Sequence, residues 1–521
     1  MAYRAMMTIL ATSTATFVAA DVISSELAAN VIFADAAAGG LDPASVPATP
    51  TNARPAHFLL YDSLGKVVSV ATNEVQRSMY PPNAIDVERQ LPSSAKGSSQ
   101  AEEVRQRISA SKAGTETLTW FPATPPVLAP YLSGLDEFGN TAAQPGGFFA
   151  TGPFSQVAQA GKFWLSGVGL RESFYQSVTT IGMSDPASGA STLQYYSADF
   201  LGKLAVFESP GGGPAGWLST GVNVQSGLSS ASRTQSPQGN LGTIVNPQAN
   251  VSGPNGLWLS ELAWQQSLMD GTVVLVAGLV DQGNYLDANR YANNSQAQFL
   301  NGAFVNSSVL PMPVNNLGLT VQWQPSGSWY VLLGTGANNQ APGQSPFSNL
   351  SLNDWSYLLE LGVTPKDVLG LGPGVYRLQP FLATVGGQTQ GGVGLNLQQQ
   401  LGAASPLAGF GRFGVGGSQV TRVGAQAQAS VGLAMSAPLK HAGLVTRLSN
   451  DLLSLGFVWS QPSTTTQTVY HENEYGLETF YALQLTPTIR LQPDLQVIWN
   501  PAFSPEPGPA LVWQLQFNIA W

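Results

Sequence analysis

The chain has 521 residues, only 10% of them charged, with 56 Gly, 36 Pro, no Cys, a formal net charge of −9 and a pI near 4.9. A typical soluble domain is about 25% charged, so the charge has been replaced by uncharged polar residues and turn formers. The acidic balance excludes a nucleic-acid binder, the missing cysteines exclude disulfides, thiolate sites and Cys-linked lipid anchors, and no apolar run reaches the roughly 18 residues of a membrane helix.

In chain order, the first 20 residues place Arg4 before a mildly apolar run ending in Val18-Ala19-Ala20. This reads as a secretory signal within residues 1–37, cleaved near residue 20 or near Ala36-Ala37-Ala38. Residues 38–160 form a second, irregular region. The patch at 101–112 could be a short helix, and the region as a whole is expected to be periplasmic or lodged in a lumen. Residues 1–160 hold 22 charged side chains against 29 in residues 161–521, which places a boundary near 160.

From 161 the pattern has a period of two. In the last segment Leu511, Trp513, Leu515, Phe517, Ile519 and Trp521 alternate with Val512, Gln514, Gln516, Asn518 and Ala520. Strand geometry puts the two sets on opposite faces. The same pattern recurs with Ile489, Leu491, Leu495, Val497 and Trp499, and with Ala425, Ala427, Ala429 and Val431 set against Gln426, Gln428 and Ser430. Such segments begin near 162, 192, 215, 256, 272, 317, 327, 355, 374, 389, 406, 420, 451, 472, 488 and 510. Together they predict an all-β fold, a transmembrane antiparallel β-barrel of about 16 strands over 161–521. Fourteen or eighteen strands are the neighbouring counts. A soluble sandwich or solenoid would show charge on its wet face, whereas here that face is Gln, Asn, Ser and Gly. Aromatic residues such as Trp258, Trp323, Trp329, Trp459 and Trp499 fall near strand ends, where interfacial girdles lie. Outer-membrane lipid is therefore an expected partner, as is the outer-membrane assembly machinery, through a last strand ending in Trp521. Whether the chain forms a homo-oligomer stays open.

The interval 270–308 does not alternate: a strand at 272–280 runs into an Asn-rich insert, 281–301, and a long insert between strands is usually functional. In a barrel it is expected to fold inward and narrow the passage. Asp281, Tyr285, Asp287, Arg290, Asn293, Asn294 and Gln298 are the candidate constriction and solute-binding residues, with Arg290 and Tyr285 preferred as contacts. The alternative is that the Asn and Asp residues only satisfy the loop's own backbone. Alternation also turns Glu261, Glu360, Arg377, Arg412, Arg422, Glu478, Arg490 and Asp494 inward. Four of each sign suit neutral polar solutes better than a one-sign ring, which selects ions. These charges could equally brace the wall. Asp287-Ala288-Asn289-Arg290 lacks the further acidic ligands of a calcium loop, so no metal and no cofactor is expected. His57, His441 and His471 lack an accompanying Ser motif, and Gly211-Gly212-Gly213 lacks a following Lys, so the chain does not read as an enzyme.

Two blocks resemble the OprB-type carbohydrate-selective porins. The first runs from Leu262-Ala263-Trp264-Gln265-Gln266-Ser267-Leu268 through Ala292-Asn293-Asn294-Ser295 and Gln298-Phe299-Leu300-Asn301 to Trp323-Gln324-Pro325. The second holds Glu474-Tyr475-Gly476-Leu477-Glu478-Thr479-Phe480-Tyr481 and Leu491-Gln492-Pro493-Asp494-Leu495-Gln496. The resemblance covers roughly 160–521. It implies a sixteen-stranded barrel in the outer membrane of a Gram-negative-type bacterium that passes small sugars by facilitated diffusion. A general porin, or a plugged surface barrel with a binding role, are the rival readings on the same fold.

Overall fold

The computed structural model describes residues 170–520 apart from short gaps, and before them only residues 58–61, 67–71 and 148–149. The predicted signal segment, the patch at 101–112, Arg422 and Trp521 lie outside the described residues.

Two short strands, β1 (Phe58–Tyr61) and β2 (Val67–Ala71), pair antiparallel in the N-terminal region, where the sequence suggests no strand. The remaining strands are β3 (Leu170–Met183), β4 (Thr192–Glu208), β5 (Pro214–Gly227), β6 (Gly256–Leu268), β7 (Val273–Val280), β8 (Asn316–Ser326), β9 (Trp329–Ala337) and β10 (Trp355–Val363). After these come β11 (Gly374–Val385), β12 (Gln388–Gln400), β13 (Leu407–Gly416), β14 (Ala425–Ser436), β15 (Leu452–Pro462), β16 (Glu474–Thr486), β17 (Ile489–Trp499) and β18 (Ala510–Ala520). Each pairs antiparallel with its neighbours in sequence, and β18 closes on β3. Closure matters because an open edge would leave a row of unpaired backbone groups in an apolar medium. The count of sixteen agrees with the alternation.

The pattern of side chains explains the closure. In β18 Val512, Gln514, Gln516, Asn518 and Ala520 are buried inside, while Leu511, Trp513, Leu515 and Phe517 are exposed outside. Most of the wall repeats this, so the outer surface is a continuous apolar band. Trp323 and Trp329 meet edge to face at 5.2 Å beside one turn, and Trp499 and Trp513 sit toward the opposite rim.

Two expected strand starts fall outside the described residues. The strand expected from 162 is described from 170, and the one expected from 420 is described from 425. In β14 a register shift between Ala425 and Ala427 also changes the face of the first residues: Ala425 is fully buried rather than outward. A bulge inserts one unpaired residue, so strict alternation read from sequence slips by one at that point. A second shift at β5–β6 lets adjacent Ser260 and Glu261 both lie buried.

The connections alternate between two ends. One end has turns as short as 269–272, 327–328 and 487–488; the other has the long segments 228–255 and 281–315. The short end also receives a lead-in segment, where Phe148 and Phe149 donate backbone N–H bonds of 2.8 Å to the Gln484 and Leu485 carbonyls of β16.

Candidate functional site

The loop 281–315 folds into the barrel. It leaves β7 through a short 3-10 turn, Gln282–Asn284, capped by Asp281, whose Oδ1 accepts the Gly283 N–H at 3.0 Å. It returns through the short helix α1 (Gly302–Val305), capped by Asn301. Between them Phe299 and Phe304 stack at 4.5 Å, and Phe299 meets Phe410 of β13 at 5.2 Å and Phe480 of β16 at 4.9 Å, both edge to face. The inner wall therefore carries an aromatic seat as well as amides. Small residues make room for the loop. A Cβ on Gly456 would lie 2.7 Å from Phe304, and one on Gly334 would lie 2.3 Å from Leu286.

The wall charges hold this loop. Arg412 ion-pairs with Asp287 at 3.0 Å and donates to the carbonyls of Phe304 at 2.7 Å and Asp287 at 2.9 Å. Asp287 is fully buried and also accepts from the Ser307 N–H at 2.7 Å and Asn396 Nδ2 at 2.6 Å. Its φ of 59° is a left-handed conformation that these partners over-determine. Glu360 Oε2 accepts the Asp287 N–H at 2.9 Å, while its Oε1 takes the Tyr330 hydroxyl at 2.6 Å and lies 3.4 Å from Arg377 Nε. Glu478 accepts the N–H groups of Leu300 at 2.6 Å and Asn301 at 3.2 Å. Asp494 accepts from Gln496 at 3.0 Å and Gln514 at 3.4 Å, and Arg490 donates twice to Gln484 Oε1, at 3.2 and 2.9 Å. Glu261 accepts the Tyr285 hydroxyl at 2.9 Å. The seven described wall charges named from sequence are all buried and inward.

The seven candidate loop residues divide. Tyr285 and Asp287 are buried in the bonds just given. Asn293, Asn294 and Gln298 shape the loop itself: Gln298 Oε1 accepts the N–H groups of Asn293 at 2.7 Å and Asn294 at 3.0 Å, and its Nε2 reaches the Arg290 carbonyl at 2.6 Å. Asp281 is half-buried, and burial with Glu261 nearby pushes its carboxyl up to about 6. Among the described residues of 281–315, Arg290 alone has an exposed side chain, its backbone N–H pinned to Gln398 Oε1 at 2.9 Å. Of the seven, Arg290 alone is exposed; Asp281, which caps the turn at Gly283, is half-buried like Asn293 and Gln298, and all but Arg290 have side chains engaged in the loop or the wall.

Several residues escaped the sequence reading. The segment 228–255 also enters the barrel: Pro247 O accepts from Gln496 and Gln514, each at 2.9 Å, and Asn250 Oδ1 accepts from Ser295 Oγ at 2.5 Å. Glu474 Oε2 accepts the Ile244 N–H at 2.9 Å and the Ala502 N–H at 3.0 Å, tying that segment to the β17–β18 loop. On β4, Asp199 accepts from Asn223 at 2.7 Å and from Gln296 of the loop, and Lys203 donates to Gln265 at 2.8 Å. The length of 228–255 was the available signal, as was the inward parity of Asp199 and Lys203 with Ser197. Among the described residues no group of His, Cys, Asp and Glu could hold a metal ion.

The model of the family described as carbohydrate-selective porin, OprB family, matches residues 218–521. The chain belongs to that family. Porin AaxA of Chlamydia felis (strain Fe/C-56) is 27% identical over 270 residues, 50% of this chain and 57% of that protein. Porin AaxA of Chlamydia abortus (strain DSM 27085 / S26/3) is 26% identical over 273 residues, with the same shares. The chain thus spans a little more than half the length of the curated relatives it matches. The solved high-pH structure of Pseudomonas putida OprB superposes with a TM-score of 0.58 at 17% identity, covering 73% of this chain and all of that one. At that identity the match speaks for the OprB fold, a closed barrel, and for nothing finer. The family match ends at residue 521 and begins inside β5, so it includes both in-folded segments.

Proposed function

We propose that this OprB-family chain is an outer-membrane channel of a Gram-negative-type bacterium, passing small carbohydrates by passive diffusion. The supporting observation is how the inner charges are used. Arg377 pairs with Glu360 and Arg412 with Asp287, so those four charges are matched locally, while Glu478 is taken up by backbone N–H groups of the loop. What stays in contact with water is mainly amide and hydroxyl: Asn223, Asn284, Asn293, Ser295 and Gln298 are half-buried, and Arg290 is exposed. Hydroxyls of a sugar both donate and accept, and they match such a surface better than an ion does. In this reading Arg290 and the half-buried Asp281 are the solute contacts, and no step of bond chemistry is involved.

Liposome swelling tests it. Refolded protein is compared for glucose, a disaccharide, an uncharged amino acid and a size-matched anion. Sugars entering faster than size-matched non-sugars support the proposal. Rates that follow size alone leave a general porin, and no swelling leaves a plugged barrel. Arg290→Ala is expected to flatten the sugar preference while changing stability by less than about 0.5 kcal/mol, as for surface substitutions away from packed features.

A further inference from the structure

Arg377 pairs with Glu360 and Arg412 with Asp287, so each of these buried cations has an opposite charge beside it. Arg490, at the short-turn end of β17, is also buried, and among the described residues no carboxylate pairs with it. Its Nε and Nη2 groups donate to Gln484 Oε1 at 3.2 and 2.9 Å, and its guanidinium meets the Tyr175 hydroxyl. Both partners are neutral. Asp494 faces inward on the same strand, but roughly 13 Å along it at about 3.3 Å per residue, and it is taken up by Gln496 and Gln514. Asp199 lies across the β3–β4 pairing from Tyr175, and its oxygens accept from Asn223 and Gln296. A buried guanidinium without an opposite charge is strongly disfavoured, because a site of low dielectric removes the water that would stabilise it.

Beside Arg490 the inner wall holds a small cavity. Tyr175 of β3, Gln484 of β16, Asn518 and Ala520 of β18, and Thr488 of the turn 487–488 line it together with Arg490. It therefore spans the seam at which β18 closes on β3. It has room for a particle about the size of one water molecule. The neutral donors around it are committed elsewhere. The Tyr175 hydroxyl and Asn518 Nδ2 both donate to the Gln296 carbonyl of the inner loop, and Gln484 Nε2 donates to the carbonyls of Thr486 and Ile489. A guanidinium carries more N–H donors than Gln484 and Tyr175 use. The cavity thus offers a positive charge with donors to spare, in a space too small for the acid group of an organic solute.

We propose that this cavity is a binding site for a small inorganic monoanion of halide size, such as chloride, held as the counter-ion of Arg490. The anion completes the contacts where the first and last barrel strands meet and where the inner loop is fastened through Gln296. The lead-in segment is fastened at the same place, since the Phe148 N–H donates to the Gln484 carbonyl. The ion therefore stabilises the closed barrel. This goes beyond the channel reading and does not depend on the solute.

Two measurements on the full refolded chain test this. Crystals grown in bromide are expected to give an anomalous peak within hydrogen-bonding distance of the Arg490 guanidinium, and this measurement needs no variant. In lipid vesicles, urea unfolding is followed as chloride replaces gluconate, an anion too large for the cavity, at constant ionic strength. An ion that binds only the folded chain multiplies the folding constant by one plus the ratio of its concentration to Kd, so a rise of roughly tenfold is expected at about nine times Kd. Arg490→Gln, its barrel checked by heat-modifiable mobility, is expected to lose both the peak and the rise. A missing bromide peak in the unmodified protein, a folding constant indifferent to chloride, or a rise that survives Arg490→Gln overturns the proposal.

Discussion

Arg412 is the residue on which the inner loop depends most. Its guanidinium meets one buried carboxylate and the carbonyls of Asp287, Phe304 and Val305. Replacing it by Ala leaves Asp287 charged and buried with its ion-pair partner gone, which costs about 3–5 kcal/mol. The barrel wall has other supports, so the loss is expected to free the loop rather than unfold the chain. Arg412→Ala is predicted to show a larger and noisier single-channel conductance in a planar bilayer; an unchanged trace would mean that Arg412 does not anchor the loop. Asp281 yields a pH prediction. Its carboxyl is raised from 3.8 to about 6 by burial, so the folded chain holds that proton more tightly than the unfolded one. Protonation therefore favours the fold, and the stability from this group falls as pH rises from about 4 to about 6. Thermal unfolding in detergent across that window should show the slope, and Asp281→Asn should flatten it.

At the scale of elements, loop 281–315 behaves as a small hydrophobic core placed inside a polar tube. Phe299 and Phe304 pack on Phe410 and Phe480, and Gly456 leaves the space they occupy. A Cβ there would stand 2.7 Å from Phe304 and 2.8 Å from Phe299, so Gly456→Val must push a stacked pair off its seat. Overpacking of this kind costs about 1–3 kcal/mol. The expected result is faster proteolytic nicking within 281–315 with the barrel intact, and protection equal to that of the unmodified chain would refute the seat. How the sequence announced this element is instructive. The break in alternation over 270–308 and the run of Asn residues marked 281–301 as an insert, and inward placement followed from what barrels do with long inserts. The role of each side chain did not follow. Asn293, Asn294 and Gln298 look alike as polar candidates, yet Gln298 folds back to bind the N–H groups of its neighbours. Local backbone conformation decides between these uses, and it is set by contacts more than a hundred residues away in sequence.

For the molecule as a whole, the band of outward Leu, Val, Phe and Trp defines where the barrel meets apolar surroundings. A charge placed in it should be costly. Leu395→Arg on β12 is predicted to lose about 2–4 kcal/mol if that position lies near the bilayer midplane. The urea midpoint of the protein folded into lipid vesicles measures this, and a change within error would mean that Leu395 does not face hydrocarbon. Sixteen strands closing on themselves also explain why so few formal charges suffice. Water wets the interior through amides, and lipid wets the exterior through hydrocarbon, so the inner charges are few and serve to fasten the inner loops and to brace the wall, as Arg490 does with Gln484.

Strand number, strand position and the face of most side chains were legible in the sequence, because a period of two is a local property that survives without knowledge of neighbours. Val512 to Ala520 inside and Leu511 to Phe517 outside could be read directly. The family resemblance was legible for the same reason, resting on contiguous motifs. Tertiary structure alone decided which inner charges are fastened and to what. Arg412 finds Asp287 across 125 residues, Glu478 finds Leu300 across 178, and the bulge at Ala425 turns a face that alternation had assigned the other way. It also decided that 228–255 enters the barrel beside 281–315, with Pro247 held by β17 and β18. Pairings of this kind depend on closure of the sheet, which brings the first and last strands together, and no local pattern carries that information.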